Sequence, residues 1–95
     1  MTSPGVARLA EADVATRIAA LSGWERAGDA IRKHFGFASF REAVAFVNRV
    51  ADLAEAMDHH PDILVEYRTV TLTLTTHDSG GLTARDFELA ARIDG

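Results

Sequence analysis

The sequence contains no cysteine among its ninety-five residues. That excludes a disulfide framework, a thiolate nucleophile and thiolate-bound zinc. Basic side chains are in the minority: ten Lys and Arg against fourteen Asp and Glu leave a net charge of −4. Affinity for phosphate backbones rests on basic residues, and no basic cluster beyond Arg32-Lys33 offers them. Nucleic acid is therefore not the expected partner. No apolar run approaches the roughly 20 residues of a membrane span. The opening MTSPGVARLAEADV lacks the basic start and unbroken apolar stretch of a signal peptide. A cytoplasmic location is the expectation that remains. Proline is scarce, with Pro4 in a loose start over residues 1–8 and Pro61 in the middle of the chain.

What is present describes one domain, residues 1–95, with no linker, repeat or low-complexity segment. It is 47% hydrophobic and 25% charged, ordinary for a globular protein. A chain this short buries a small core, and oligomerisation would bury more.

Periodicity predicts the elements. Val14, Ile18 and Leu21 form one stripe of a helix over about 9–21, and Gly23 suits its left-handed end. Trp24–Arg26 and Ala30–Phe35 read as strands around an AGDA turn. Ile31 and Phe35 share a face with Lys33 between them, and His34 reads as an exposed polar residue. Ser39 is a candidate N-cap with Glu42 three residues later, opening a long helix from Phe40 to about His59. The apolar arc of that helix covers roughly half its circumference, wider than one core-facing stripe. Either the helix is deeply buried, or Phe46 and Leu53 face another subunit. Pro61 blocks its continuation. DILVEY and RTVTLTLTTH read as strands, and in the second Val70, Leu72 and Leu74 alternate with Thr71, Thr73 and Thr75. His77 then leaves from the threonine side at the strand's end, and HDSGG turns. Thr83 caps the last helix with Asp86 at its third position, and Leu82 with Phe87 forms a hydrophobic staple. The order α-β-β-α-β-β-α gives an α+β two-layer sandwich, with a four-stranded antiparallel sheet and helices on one face.

The chemistry concentrates in EAMDHHPDI, Glu55–Ile63. His59 and His60 stand at the end of the long helix, where the dipole favours a cation. Glu55 lies four residues before His59, in position to orient its ring. Asp58 is an anion at a helix end that disfavours anions. A single histidine there is most simply a cap, His77 alone an ordinary strand end, and Asp86 a capping residue. Together, His59, His60 and His77 would converge if the long helix crosses the strand that leads to His77. Three imidazoles suit a catalytic zinc or metal-free proton transfer. Adjacent histidines on a helix diverge by about 100°, whereas helical metal pairs sit at i, i+4. The spacing favours proton transfer.

In their order and spacing, Glu55, His59-His60-Pro61, Tyr67, His77 and Asp86 resemble the pterin-4a-carbinolamine dehydratases. So do GW before the first strand, DAI in the second, F-x-x-F entering the long helix and GL-x-x-RD opening the last. The resemblance runs from Leu9 nearly to the end. It implies dehydration of a 4a-hydroxytetrahydropterin to the quinonoid dihydropterin, which recycles the pterin cofactor of aromatic amino acid hydroxylases. It implies no metal, no cofactor besides the pterin substrate, and a homodimer or homotetramer. In mammals a relative also serves as a dimerisation cofactor for a transcription factor, so a non-catalytic dimerisation module on the same fold is the alternative. By analogy His59 and His77 are the acid and base, and His60 positions the ring. Glu55 and Asp58 orient the histidines, Thr75 and Thr76 bond the pterin, and Arg85 with Asp86 holds the last helix beside the site. The sequence departs from many relatives at Ile63, where they place a tryptophan that would line the pocket.

Overall fold

A computed structural model describes residues 7–95. Residues 1–6, most of the expected loose start, lie outside the described residues. The elements are α1 (Glu11–Ala19), β1 (Glu25–Ala27), β2 (Ala30–Gly36), α2 (Phe40–Met57), β3 (Asp62–Glu66), β4 (Thr69–Leu74), a 3-10 turn (His77–Ser79) and α3 (Ala84–Asp94). The sheet order is β1-β2-β4-β3, with every pairing antiparallel. This is the α+β sandwich expected from the periodicity.

The core lies between the sheet and the helices. Ile31, Val70, Leu72 and Leu74 on the strands meet Ala43, Val50 and Met57 of α2 and Leu89, Ala90 and Ile93 of α3. Leu82 and Phe87 are buried in the same cluster, where the staple would place them. Lys33 keeps its apolar-face position by stretching outward. Its ammonium lies 5.0 Å from the Phe35 ring centre and 6.0 Å from that of Trp24, and it donates to Ser22 O at 2.7 Å and Asp94 Oδ1 at 2.8 Å. Trp24 Nε1 donates to Asp94 Oδ2 at 2.9 Å, so one carboxylate pins the first strand region to the end of α3.

Several ends differ from the sequence expectation, each for a local reason. α1 stops at Ala19, because Ala20 and Leu21 tighten to i−3 bonds. Gly23, at φ 82, turns the chain into β1 rather than ending the helix. Arg26 clasps Glu11 with both terminal guanidinium nitrogens, which ties α1 to β1. Hydrogen bonding from Arg26, and then its charge, hold the Glu11 carboxyl below the ordinary carboxylate range. Tyr67 and Arg68 are the β3–β4 turn, with Tyr67 at φ 53, not strand residues. On α2, Phe46 packs against Phe35 and Phe37 at ring-centroid distances of 4.6 and 5.0 Å, and Leu53 packs against the core. The large apolar residues α2 leaves in solvent are instead Phe40 and Val44, 52% and 38% exposed.

Candidate active site

α2 ends two residues earlier than expected, and that changes the fate of both adjacent histidines. Asp58 adopts φ 50 and ψ 44, the left-handed conformation. Asp58 N–H bonds Glu55 O at 3.2 Å, and His59 N–H bonds Ala54 O at 3.0 Å. This is a Schellman ending, with Asp58 where glycine is the commoner choice. The misplaced anion is thus a helix terminator, itself exposed. Neither histidine remains helical, and the two sit in opposite environments.

His59 is 1% exposed. Its Nε2 donates to Asp86 Oδ1 at 2.6 Å. Asp86 is fully buried, and its Oδ2 accepts from Thr76 Oγ1 at 2.8 Å and from Thr83 N at 2.9 Å. Thr76 and Thr83 hydroxyls share a further bond at 2.9 Å. A carboxylate so deep is tolerable only with its lone pairs occupied, and here three donors occupy them. The capping box of α3 supplies one of these bonds, so Asp86 serves as cap and as hub at once. Arg85 strengthens the junction by donating from Nη2 to Met57 O, one of the carbonyls that α2 leaves open at its end.

His60 is exposed, and its Nε2 lies 2.5 Å from Glu55 Oε2. Glu55 therefore orients His60, not His59 as the i, i+4 spacing suggests. The physical reason is the left-handed residue, which removes His59 from the helix surface and swings His60 back toward the last turn. His77 is exposed at the start of the 3-10 turn, one residue beyond Thr76. It does not continue the strand, because β4 stops at Leu74.

The buried trio therefore ties the segment that carries His60 to the segment that carries His77. His60 follows buried His59, His77 follows buried Thr76, and Asp86 bonds both buried residues. The chain repeats a buried-then-exposed pair twice and clamps the buried members with one carboxylate. The side chains of His59, Thr76 and Asp86 are buried. Thr75 is half-buried, and its Oγ1 donates to Asp29 O at 2.6 Å. Thr75 and His77 line a cavity of about 300 Å³ with Asp29, Ala30, Gly80 and Gly81. Asp29 is a lining residue that sequence reasoning missed, since an acidic residue in a tight turn reads as turn chemistry. Ile63 pairs with Leu72 and shares the helix-side face of the sheet. Among the described residues no group of three or more His, Asp or Glu is arranged to hold a metal ion. The three histidines do not form one ligand set, because His59 is committed to Asp86.

A family model described as pterin 4 alpha carbinolamine dehydratase matches residues 7–95. A provisionally named pterin-4-alpha-carbinolamine dehydratase of Roseiflexus sp. (strain RS-1) is 56% identical over 92% of this chain and 94% of its own length. One of Thermomicrobium roseum is 52% identical over 93% and 95%. Among solved structures, a transcriptional coactivator/pterin dehydratase from Brucella melitensis superposes with a TM-score of 0.88. It has 35% identity and covers 92% of this chain and 95% of that one. A pterin dehydratase-like protein identified as a RuBisCO assembly factor in the alpha-carboxysome matches with a TM-score of 0.65 and 29% identity, over 76% and 86% of the two chains.

Proposed function

This chain belongs to the pterin-4-alpha-carbinolamine dehydratase family, and we propose that it eliminates water from a 4a-hydroxytetrahydropterin to give the quinonoid dihydropterin. The observation that carries the reading is the Asp86 hub, which fixes exposed His60 and exposed His77 one residue from shared buried anchors.

The reaction breaks the C4a–O bond and forms a C4a=N5 double bond. The departing oxygen takes a proton from an imidazolium and leaves as water. The N5 proton passes to a neutral imidazole. One histidine ends protonated and the other deprotonated, so a proton exchange with solvent resets the pair. Histidine suits both roles because its ordinary titration lies near neutrality. His60 and His77 take these roles. His59, expected as the acid or base, is instead a positioning residue, and so are Asp86, Thr76 and Arg85. Glu55 orients His60, and Asp58 sets the turn that exposes it. The pterin is the substrate, and the proposed chemistry needs no further cofactor. Such an activity serves pterin recycling beside an aromatic amino acid hydroxylase.

The test is the dehydration rate of a 4a-hydroxytetrahydropterin. Acceleration by the pure protein over buffer supports the reading, and an unaccelerated rate sinks it. A second reading is a non-catalytic assembly or dimerisation role, motivated by the similarity to the RuBisCO assembly factor and by exposed Phe40, Leu64 and Tyr67. A partner bound equally well by the wild type and by a His60→Ala/His77→Ala double variant, with no dehydration by either, would favour it.

A further inference from the structure

The cavity beside His77 has a wall that the proton-transfer chemistry leaves unused. Gly80 and Gly81 give it a floor without side chains, and Thr75 and His77 stand along it with Asp29 and Ala30. Its volume, about 300 Å³, lies at the lower end of the range for small-molecule sites. Asp29 belongs to the β1–β2 turn, and its backbone carbonyl is fixed by Thr75 Oγ1 at 2.6 Å. Its carboxylate is fixed from the other side, because Arg8 Nη2 bonds Oδ1 at 3.1 Å. Arg8 is itself held. Leu9 N–H bonds Leu82 O at 2.8 Å, and the Arg8 side chain lies so close over Gly81 that a Cβ there would stand 2.7 Å from Nε. Three separate segments thus present one carboxylate at the rim of the cavity that contains His77. Asp29 keeps 64% of its side chain exposed, so the carboxylate is positioned without being consumed.

We propose that Asp29 is a specificity-determining residue that reads the amino-pyrimidinone edge of the substrate, and that Arg8 positions it. The inference rests on the dehydratase reading above. A pterin carries a 2-amino group beside the N3–H, two parallel donors in one plane. A carboxylate accepts such a pair in the fork geometry it uses with guanidinium groups. Beside them the 4-oxo group is an acceptor, for which the guanidinium of Arg8, bound to the same carboxylate, is the neighbouring donor. Thr75 and the glycine floor leave room for a flat ring whose reacting edge lies toward His77. The site therefore takes 2-amino-4-oxopteridines and discriminates against 2,4-dioxopteridines, which keep the N3–H donor but present a 2-oxo acceptor where Asp29 needs its second donor.

The test compares binding of 6-methyl-7,8-dihydropterin and 6-methyl-7,8-dihydrolumazine, by fluorescence titration, to the full chain and to Asp29→Ala and Arg8→Ala. The wild type is expected to prefer the pterin by about tenfold or more, the worth of a hydrogen bond to a charged group. Asp29→Ala should weaken the pterin to near the level of the lumazine and change the lumazine far less, because its N3–H bond to Asp29 is offset by the repulsion of its 2-oxo group. Arg8→Ala should keep part of the preference. Equal affinity of the wild type for both compounds overturns the inference. So does a parallel loss of both in Asp29→Ala, which would make the residue merely structural. If the wild type binds neither compound, the inference falls, and the dehydration rate then decides separately whether the dehydratase reading falls with it.

Discussion

Between Met57 and Asp62 the chain passes from helix to strand, and Asp58 makes the change at φ 50 and ψ 44. L-residues pay for that conformation through their Cβ, and Asp and Asn pay least after glycine. Asp58→Gly is therefore expected to keep the site intact and raise stability by less than about 1 kcal/mol, the relief of left-handed strain less glycine's entropy cost. Asp58→Val should lower it by about 1–2 kcal/mol, because a β-branched side chain meets the full steric cost. Urea unfolding of the three proteins checks both signs. The two histidines were legible in the sequence as candidates, and so was Glu55 as their partner. Which histidine it would meet was not. The pairing depends on the handedness of one residue, and Asp is compatible with either a helical or a left-handed backbone. Asp86 was legible as a cap from the Thr83 spacing, but its contact with His59, across 27 positions of chain, leaves no periodic trace.

At the scale of elements, Asp86 joins three pieces that the sequence presents separately: the end of α2 through His59, the segment after β4 through Thr76, and the start of α3 through Thr83. Removing one member of such a buried network strands the others. Asp86→Ala should cost about 3–5 kcal/mol and lower dehydration as well, because His60 and His77 lose their common anchor. Denaturant unfolding gives the first effect. For the second, kcat should fall more than KM rises, since substrate contacts by His60 and His77 are misaligned rather than deleted. Unchanged kcat in a folded variant would remove the hub from the account. The elements themselves were readable from period alone: the alternation of Val70, Leu72 and Leu74 marked β4, and the stripe through Ala43, Val50 and Ala54 marked α2. Their ends were not, because Tyr67 carries strand-like chemistry into a turn and Gly23 signals a helix stop two residues late.

At the scale of the molecule, α2 leaves Phe40 52% and Val44 38% exposed, one turn apart. Patches of this kind mark association surfaces, and a chain of ninety-five residues gains core by pairing. The expectation is a dimer or tetramer by light scattering at micromolar concentration. Phe40→Glu with Val44→Asp should shift it toward the monomer, and a monomeric wild type would refute the surface. The wide apolar arc of α2 was legible as a surplus, but it did not reveal that Phe46 is spent on Phe35 and Phe37 within the same chain. The central claim is that exposed His60, not its buried neighbour, does proton chemistry together with His77. The most direct test is kcat for dehydration of a 4a-hydroxytetrahydropterin by folded His60→Ala, whose stability should match the wild type. The account predicts a fall of about a hundred- to ten-thousand-fold, the usual contribution of a positioned acid or base. A His60→Ala protein that keeps the wild-type kcat would contradict it.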